Sequence, residues 1–207
     1  MGDTQTSSET LDAFQDSNNQ DDAHDWDLGV KKDNKKNDES KKDTSDEPDE
    51  DDQANQGANN VSEAGLNFIA GLEGFSSKVY NDVAGLPTIG YGHLIKEGEN
   101  FTTITKTQAL QLLKSDVGFA VAAINKYVKV SLNQSQFDAL TSFAYNVGTA
   151  HFSASSLLGN VNAGNRSSIE NSFMMWNKAT INGVLTPVDG LTNRRQAEAG
   201  LFLNGNY

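Results

Sequence analysis

The stretch EGFSSKVYNDVAGLPTIGYGH, Glu73 to His93, decides how this chain is read. It opens on a carboxylate where a helical pattern ends. Behind Glu73, Leu66 and Ile69 recur at helical spacing from Ser62, a residue suited to capping an N-terminus, and Gly74 supplies the stop. Ahead of it, Lys78 to Asn81 and Thr88 to Tyr91 have the composition of short strands around a turn containing Gly85, which predicts a small antiparallel hairpin. The unit is therefore helix, turn and hairpin, carrying Glu73, Asp82 and Thr88.

Working forward, everything after Asn100 reads as helical. Thr105 with Gln108 forms a capping box. The apolar stripe Ala109, Leu112, Leu113, Val117, Ala120, Val121 and Ile124 continues behind it as one helix, expected to be the longest. Asn133 and Gln136 give a second start signal, for a core helix carrying Phe137, Leu140, Phe143, Ala144 and Val147 and ended by Gly148. Shorter helices are expected at Ser155 to Val161, after a Ser167 and Glu170 box, and at Asn193 to Leu203, with His151 in a loop.

Working backward, the composition changes near residue 60. Residues 1–60 hold 18 Asp/Glu against 6 Lys, a net of −12 that equals the formal charge of the whole chain, whereas residues 61–207 balance 10 against 10. So polar a segment cannot bury enough surface to offset the entropy of ordering, so 1–60 is expected to be a disordered acidic leader and 61–207 the folded domain. Within the leader, Leu11, Phe14, Trp26, Leu28 and Val30 offer a docking surface to an unknown partner. The pairs Lys31-Lys32, Lys35-Lys36 and Lys41-Lys42 precede an acidic run, Asp46 to Asp52, that lacks the glycine turn and terminal glutamate of a calcium loop.

Several classes are excluded. A neutral folded part has no concentrated basic surface for nucleic acid. Absence of cysteine rules out disulfides and thiolate metal sites, and His24, His93 and His151 are too scattered for a metal constellation. No basic start followed by an apolar stretch, and no run of about 18 apolar residues, suggests a signal peptide or membrane span. A monomer is expected.

The chemistry follows from the opening stretch. Glu73 shares a face with Leu66 and Ile69, so its carboxyl sits at the core edge, where partial burial favours the protonated form that a general acid needs. Asp82, beside a turn, stays solvated and ionised, and Thr88 on the return strand faces it to help hold a water. Such a set suits hydrolysis of a glycosidic bond. Taken singly, Thr88 is also a good strand former, and His93 reads as a structural hydrogen-bonding residue. Gly90 and Gly92 lack the third glycine of a phosphate loop, and Trp176 with Met174 and Met175 reads as helix core.

Residues 61–207 resemble the phage-type lysozymes, the endolysin muramidases of glycoside hydrolase family 24. The resemblance is carried by Gly71-Leu72-Glu73-Gly74-Phe75, Tyr80-Asn81-Asp82, Thr88-Ile89-Gly90-Tyr91-Gly92-His93-Leu94, Gln136 to Gly148, and Gly190 to Glu198. It implies an α+β, mainly α, two-lobed lysozyme-like fold, with a small hairpin lobe, a long connecting helix from about Thr105 and a helical larger lobe. It implies further that an arginine pairs with the catalytic glutamate, placed on Arg194 with Arg195 as the alternative, and that Leu94, Tyr145 and Ser156 line a saccharide cleft. The implied substrate is peptidoglycan, cut between N-acetylmuramic acid and N-acetylglucosamine for host lysis, without cofactor. Such an enzyme is made in the cytoplasm and reaches the wall through a separate pore. The rival readings are a lytic transglycosylase, a virion-associated or secreted wall-degrading effector, and a non-catalytic wall-binding protein.

Overall fold

The computed structural model describes residues 57–82, 84–181 and 183–207. The expectations placed on residues 1–56, including the docking residues and lysine pairs of the leader, lie outside the described residues. Gly57 to Asn60, on the leader side of the compositional boundary, run along the helical body. There the Ala58 N–H donates to the Leu132 carbonyl, and the side chains of Asn125 and Gln134 donate to the carbonyls of Asn59 and Asn60, each at 2.9 Å.

The small lobe begins with α1, Glu63–Glu73, whose N-terminus is capped by Ser62: its hydroxyl accepts from the Gly65 N–H at 2.9 Å. Leu66, Ile69 and Ala70 bury one face of α1, and Gly74 ends it at a φ of 74°. The strands β1, Ser76–Asn81, β2, Pro87–Gly90, and β3, His93–Leu94, then form an antiparallel sheet with β2 in the middle. β3 was not anticipated, because two residues carry no periodicity. Gly90 has a φ of 72°, and a Cβ there would stand 3.1 Å from that of Ala109, so both conformation and close approach require glycine.

The predicted long helix is two helices, α2, Lys106–Asp116, and α3, Gly118–Tyr127. The Thr105 and Gln108 capping box opens α2, but at Val117 ψ falls to −3° and the next residue is glycine, a poor helix former, so the axis is interrupted. Leu66, Ile69, Ile89, Ile104, Ala109, Leu113 and Val117 make the small-lobe core.

The larger lobe surrounds α4, Gln134–Val147, which carries the predicted Asn133 and Gln136 box and stops at Gly148. Around it lie α3, α5 (Thr149–Ala154), α6 (Ser156–Asn162), α7 (Ile169–Met174) and α8 (Asp189–Asn204). Phe143 of α4 meets Phe173 and Trp176 edge-on at centroid distances of 5.4 and 5.7 Å, anchoring this core. Phe68 and Tyr145 touch both cores and so form the seam between the lobes. The fully buried Asp138 carboxylate also ties the lobes together: it accepts from the Ser62 N–H at 2.9 Å, the Ser62 hydroxyl at 2.5 Å and the Tyr207 hydroxyl at 2.7 Å.

Four further expectations need correction. The region after Asn100 is not all helix, since β4, Lys178–Ile181, pairs with β5, Val184–Pro187. His151 lies in α5 rather than a loop. The Ser167 and Glu170 box does not form: the Ser167 hydroxyl donates to the Asn165 side chain, and Ser168, at the start of α7, makes no side-chain cap bond. Finally, the longest helix is α8, 16 residues beginning at Asp189, ahead of the expected Asn193.

Candidate active site

Glu73 is the last residue of α1, held at the lobe seam by the apolar face behind it, and its side chain is 14 % exposed. Its Oε1 lies 2.7 Å from Nη1 of Arg194, itself only 3 % exposed on α8. Arg194 also directs Nε to Glu198 Oε1 at 3.1 Å and donates through Nη2 to the Ser142 carbonyl at 3.4 Å. Burial by itself lowers the affinity of the guanidinium for its proton, but the carboxylates of Glu73 and Glu198 outweigh it and push Arg194 above its ordinary value. The cation beside Glu73 is permanent.

Arg195 takes a different path. Its Nε meets Glu198 Oε2 at 2.9 Å, Nη2 donates to the Asn146 side chain at 2.8 Å, and the guanidinium lies 5.0 Å from the centroid of the Phe143 ring. Burial pulls it down to about 10, Glu198 offsetting only part of that. Between the two arginines, then, Arg194 is the one paired with Glu73.

Asp82 and Thr88 meet through one backbone residue, Leu86. The Leu86 N–H donates to Asp82 Oδ1 at 2.8 Å, while the Leu86 carbonyl accepts both the Asp82 N–H at 2.9 Å and the Thr88 hydroxyl at 3.1 Å. The Asp82 carboxylate is thus fixed by the turn yet partly open to water. The Thr88 hydroxyl proton is occupied by that carbonyl, which leaves its oxygen as an acceptor for a donor such as water.

Tyr145 lies at the seam, packed against both cores. Its phenol is pushed up, first by burial and then by the negative charges of Glu73 and Asp116, and it also senses Arg194 and Tyr80. Tyr80 is the register partner of Thr88 on β1, and Leu94 of β3 is its partner on the other side. Tyr80, Thr88 and Leu94 therefore stand side by side across the small-lobe sheet. Ser156 stands apart from it. It opens α6 with its hydroxyl 3.5 Å from the Met175 sulphur, beside a cavity of about 380 Å3 also lined by Trp176, Lys178 and Leu185. His93 is buried, with Nδ1 at 2.8 Å from Asp116 and Nε2 at 2.9 Å from Glu99, and so ties β3 to α2.

Residues 70–198 match the phage lysozyme family. The chain belongs to that family. It is 41 % identical over 145 residues to the endolysin of Acyrthosiphon pisum secondary endosymbiont phage 1, covering 69 % of this chain and 97 % of that one. Among solved structures, the endolysin from Escherichia coli O157:H7 phage FAHEc1 superposes with a TM-score of 0.68 at 40 % identity, covering 73 % of this chain and 98 % of that chain. The muramidase domain of SpmX from Asticaccaulis excentricus gives 0.65 at 34 % identity, covering 70 % and 97 %. This lysozyme is accordingly a glycoside hydrolase of the endolysin type, with an α+β, mainly helical fold.

Sequence reasoning assigned no role to Ser142, Asn146 or Glu198, all drawn to the arginine pair. For Glu198 a signal existed, since it follows Arg194 and Arg195 at four and three positions on one helix, the spacing at which side chains meet. For Ser142 and Asn146, on another helix, there was none.

Proposed function

We propose that the enzyme cleaves peptidoglycan glycan strands between N-acetylmuramic acid and N-acetylglucosamine, with Glu73 as the general acid. Glu73 protonates the bridging oxygen, while Asp82 orients or activates a water that also donates to Thr88 Oγ1, with no cofactor required. Arg194 holds the Glu73 carboxyl in place before and after proton transfer. Leu94, Tyr145 and Ser156 contact the glycan. The observation that carries this reading is the 2.7 Å pair of Glu73 with a buried arginine at the lobe seam. It is supported by the Leu86-centred turn that keeps Asp82 and Thr88 together.

No helix among the described residues is long and apolar enough to cross a membrane. The enzyme acts as a monomer on the wall after release through a separate pore, in host lysis, and the leader reduces attraction to the anionic wall before release. The test of the chemistry is digestion of purified peptidoglycan with mass analysis of the fragments. Fragments with reducing ends are expected from the wild type, with a loss of about 10^2 to 10^4-fold in rate for Glu73→Gln. Wild-type rates from Glu73→Gln would overturn the assignment, and anhydro-sugar ends would replace hydrolysis by transglycosylation.

A further inference from the structure

Glu198 is a fully buried carboxylate that the chemistry above does not use. A carboxylate removed from water is costly unless it is paired. This one is paired: Oε1 accepts from Arg194 Nε at 3.1 Å, Arg195 Nη2 at 3.1 Å and the Ser142 hydroxyl at 2.7 Å, and Oε2 stands within ion-pair distance of Arg195 Nε, at 2.9 Å.

Two consequences follow for Glu73. The first is orientation. The guanidinium is planar, and its plane is set by Nε donating to Glu198 and Nη2 donating to the Ser142 carbonyl, which leaves Nη1 2.7 Å from Glu73 as a close ion pair. The second is charge. Arg194 and Arg195 together bring two positive charges into the protein, and Glu198 cancels one of them, leaving the other for Glu73. Without Glu198 both would bear on Glu73 and resist its taking up a proton.

Among the described residues, the charges that act on the two arginines are those of Glu73, Glu198 and the arginines themselves, and Asp116 reaches only as far as Tyr145. The groups facing it are the arginines on its own helix, Glu73 from α1, and Ser142, Tyr145 and Asn146 from α4, the latter three uncharged. α7 presents the uncharged Phe173 to Phe202 of α8.

We propose that Glu198 is a positioning residue for the acid, aiming Arg194 at Glu73 and cancelling the second buried positive charge so that Glu73 can be reprotonated between turnovers. The proposal rests on the reading of Glu73 as the general acid. It predicts effects of opposite sign from two neighbouring residues, which a purely structural role would not produce.

The test uses the full chain as wild type, Glu198→Gln, Glu198→Asp, Arg195→Gln and the double variant Arg195→Gln with Glu198→Gln. Two quantities are measured: the pH at which the Glu73 carboxyl carbon titrates by NMR, assigned with Glu73→Gln, and the alkaline limb of peptidoglycan turnover. In Glu198→Gln both should move to lower pH, with a fall of about tenfold in proton affinity, equal to about one pH unit. In Arg195→Gln both should move to higher pH. Glu198→Asp keeps the charge and should hold the limb near its wild-type position, as should the double variant, which removes one charge of each sign. Should Glu198→Gln not fold, Arg195→Gln against the charge-balanced double variant makes the same decision. An unchanged Glu73 titration in every folded variant would overturn the proposal. Movement of that titration with a stationary alkaline limb would uphold the coupling and overturn the acid assignment beneath it.

Discussion

Each lobe contains a network of ionised side chains, and the two are built for different purposes. In the large lobe Arg194, Arg195 and Glu198 are each at most 3 % exposed, and arginine supplies the positive charge. In the small lobe His93 supplies it, between Glu99 and Asp116, whose side chains are 31 % and 15 % exposed. Burial lowers the proton affinity of His93, but the two carboxylates outweigh it and raise the imidazole above its ordinary 6.5. Arg194, raised above its ordinary value by the two carboxylates beside it, gives a charge that no accessible pH removes, whereas a histidine held by wetted carboxylates gives a clip that opens with pH. The network around Arg194 stands at Glu73, the acid of the proposed mechanism. The titrating one fastens the small lobe.

Breaking the large-lobe network should have the greater effect. Arg194→Met leaves Glu198 short of one partner and Glu73 with none, and should cost about 3–5 kcal/mol of stability. Denaturant unfolding measures it, and turnover of peptidoglycan should be lost as well. His93→Gln should cost less, about 1–3 kcal/mol, because the carboxylates it abandons reach water. Equal losses from the two variants would remove the contrast drawn here.

A pH series sharpens the comparison. His93 has a raised folded-state value, so its stabilisation is complete below about 6.5 and is lost as pH rises through that raised value. Glu99 is lowered beneath its ordinary 4.5, first by the Lys96 backbone N–H and then by His93, so its contribution is complete above about 4.5 and is lost as pH falls through the lowered value. The clip should therefore be strongest between about pH 4.5 and 6.5. The decline in thermal stability above that window should vanish in His93→Gln. The smallest expected effect is that of salt. Near 0.5 M sodium chloride the difference between wild type and His93→Gln should shrink, while the cost of Arg194→Met should stay nearly constant, because screening acts on charges that solvent reaches.

Much of the fold was legible because its signals are local. Ser62, the Thr105 and Gln108 box, the Asn133 and Gln136 box and Gly148 each act within a single turn of chain, and each marks a helix end in the structure. The β4–β5 hairpin was also legible in principle. Ile181 pairs with Val184, and the sequence between them is Asn-Gly, the dipeptide most typical of a two-residue hairpin, yet two four-residue strands amid helical patterns carry little periodicity of their own. The interruption at Val117 was harder to see, because the apolar stripe continues through it.

The candidate site divides in the same way. Glu73 at a helix end and the turn joining Asp82 to Thr88 are properties of one short stretch, so the chain alone determined where these three residues stand relative to the helix and hairpin. The choice of Arg194 over Arg195, between which the family resemblance left an alternative, the carboxylate holding that arginine, the setting of Ser156 beside Met175 and the clamping of His93 were decided only by tertiary structure. Those depend on which distant residues share a desolvated space. Burial and charge pairing across many residues of separation are set by packing, to which local spacing is blind.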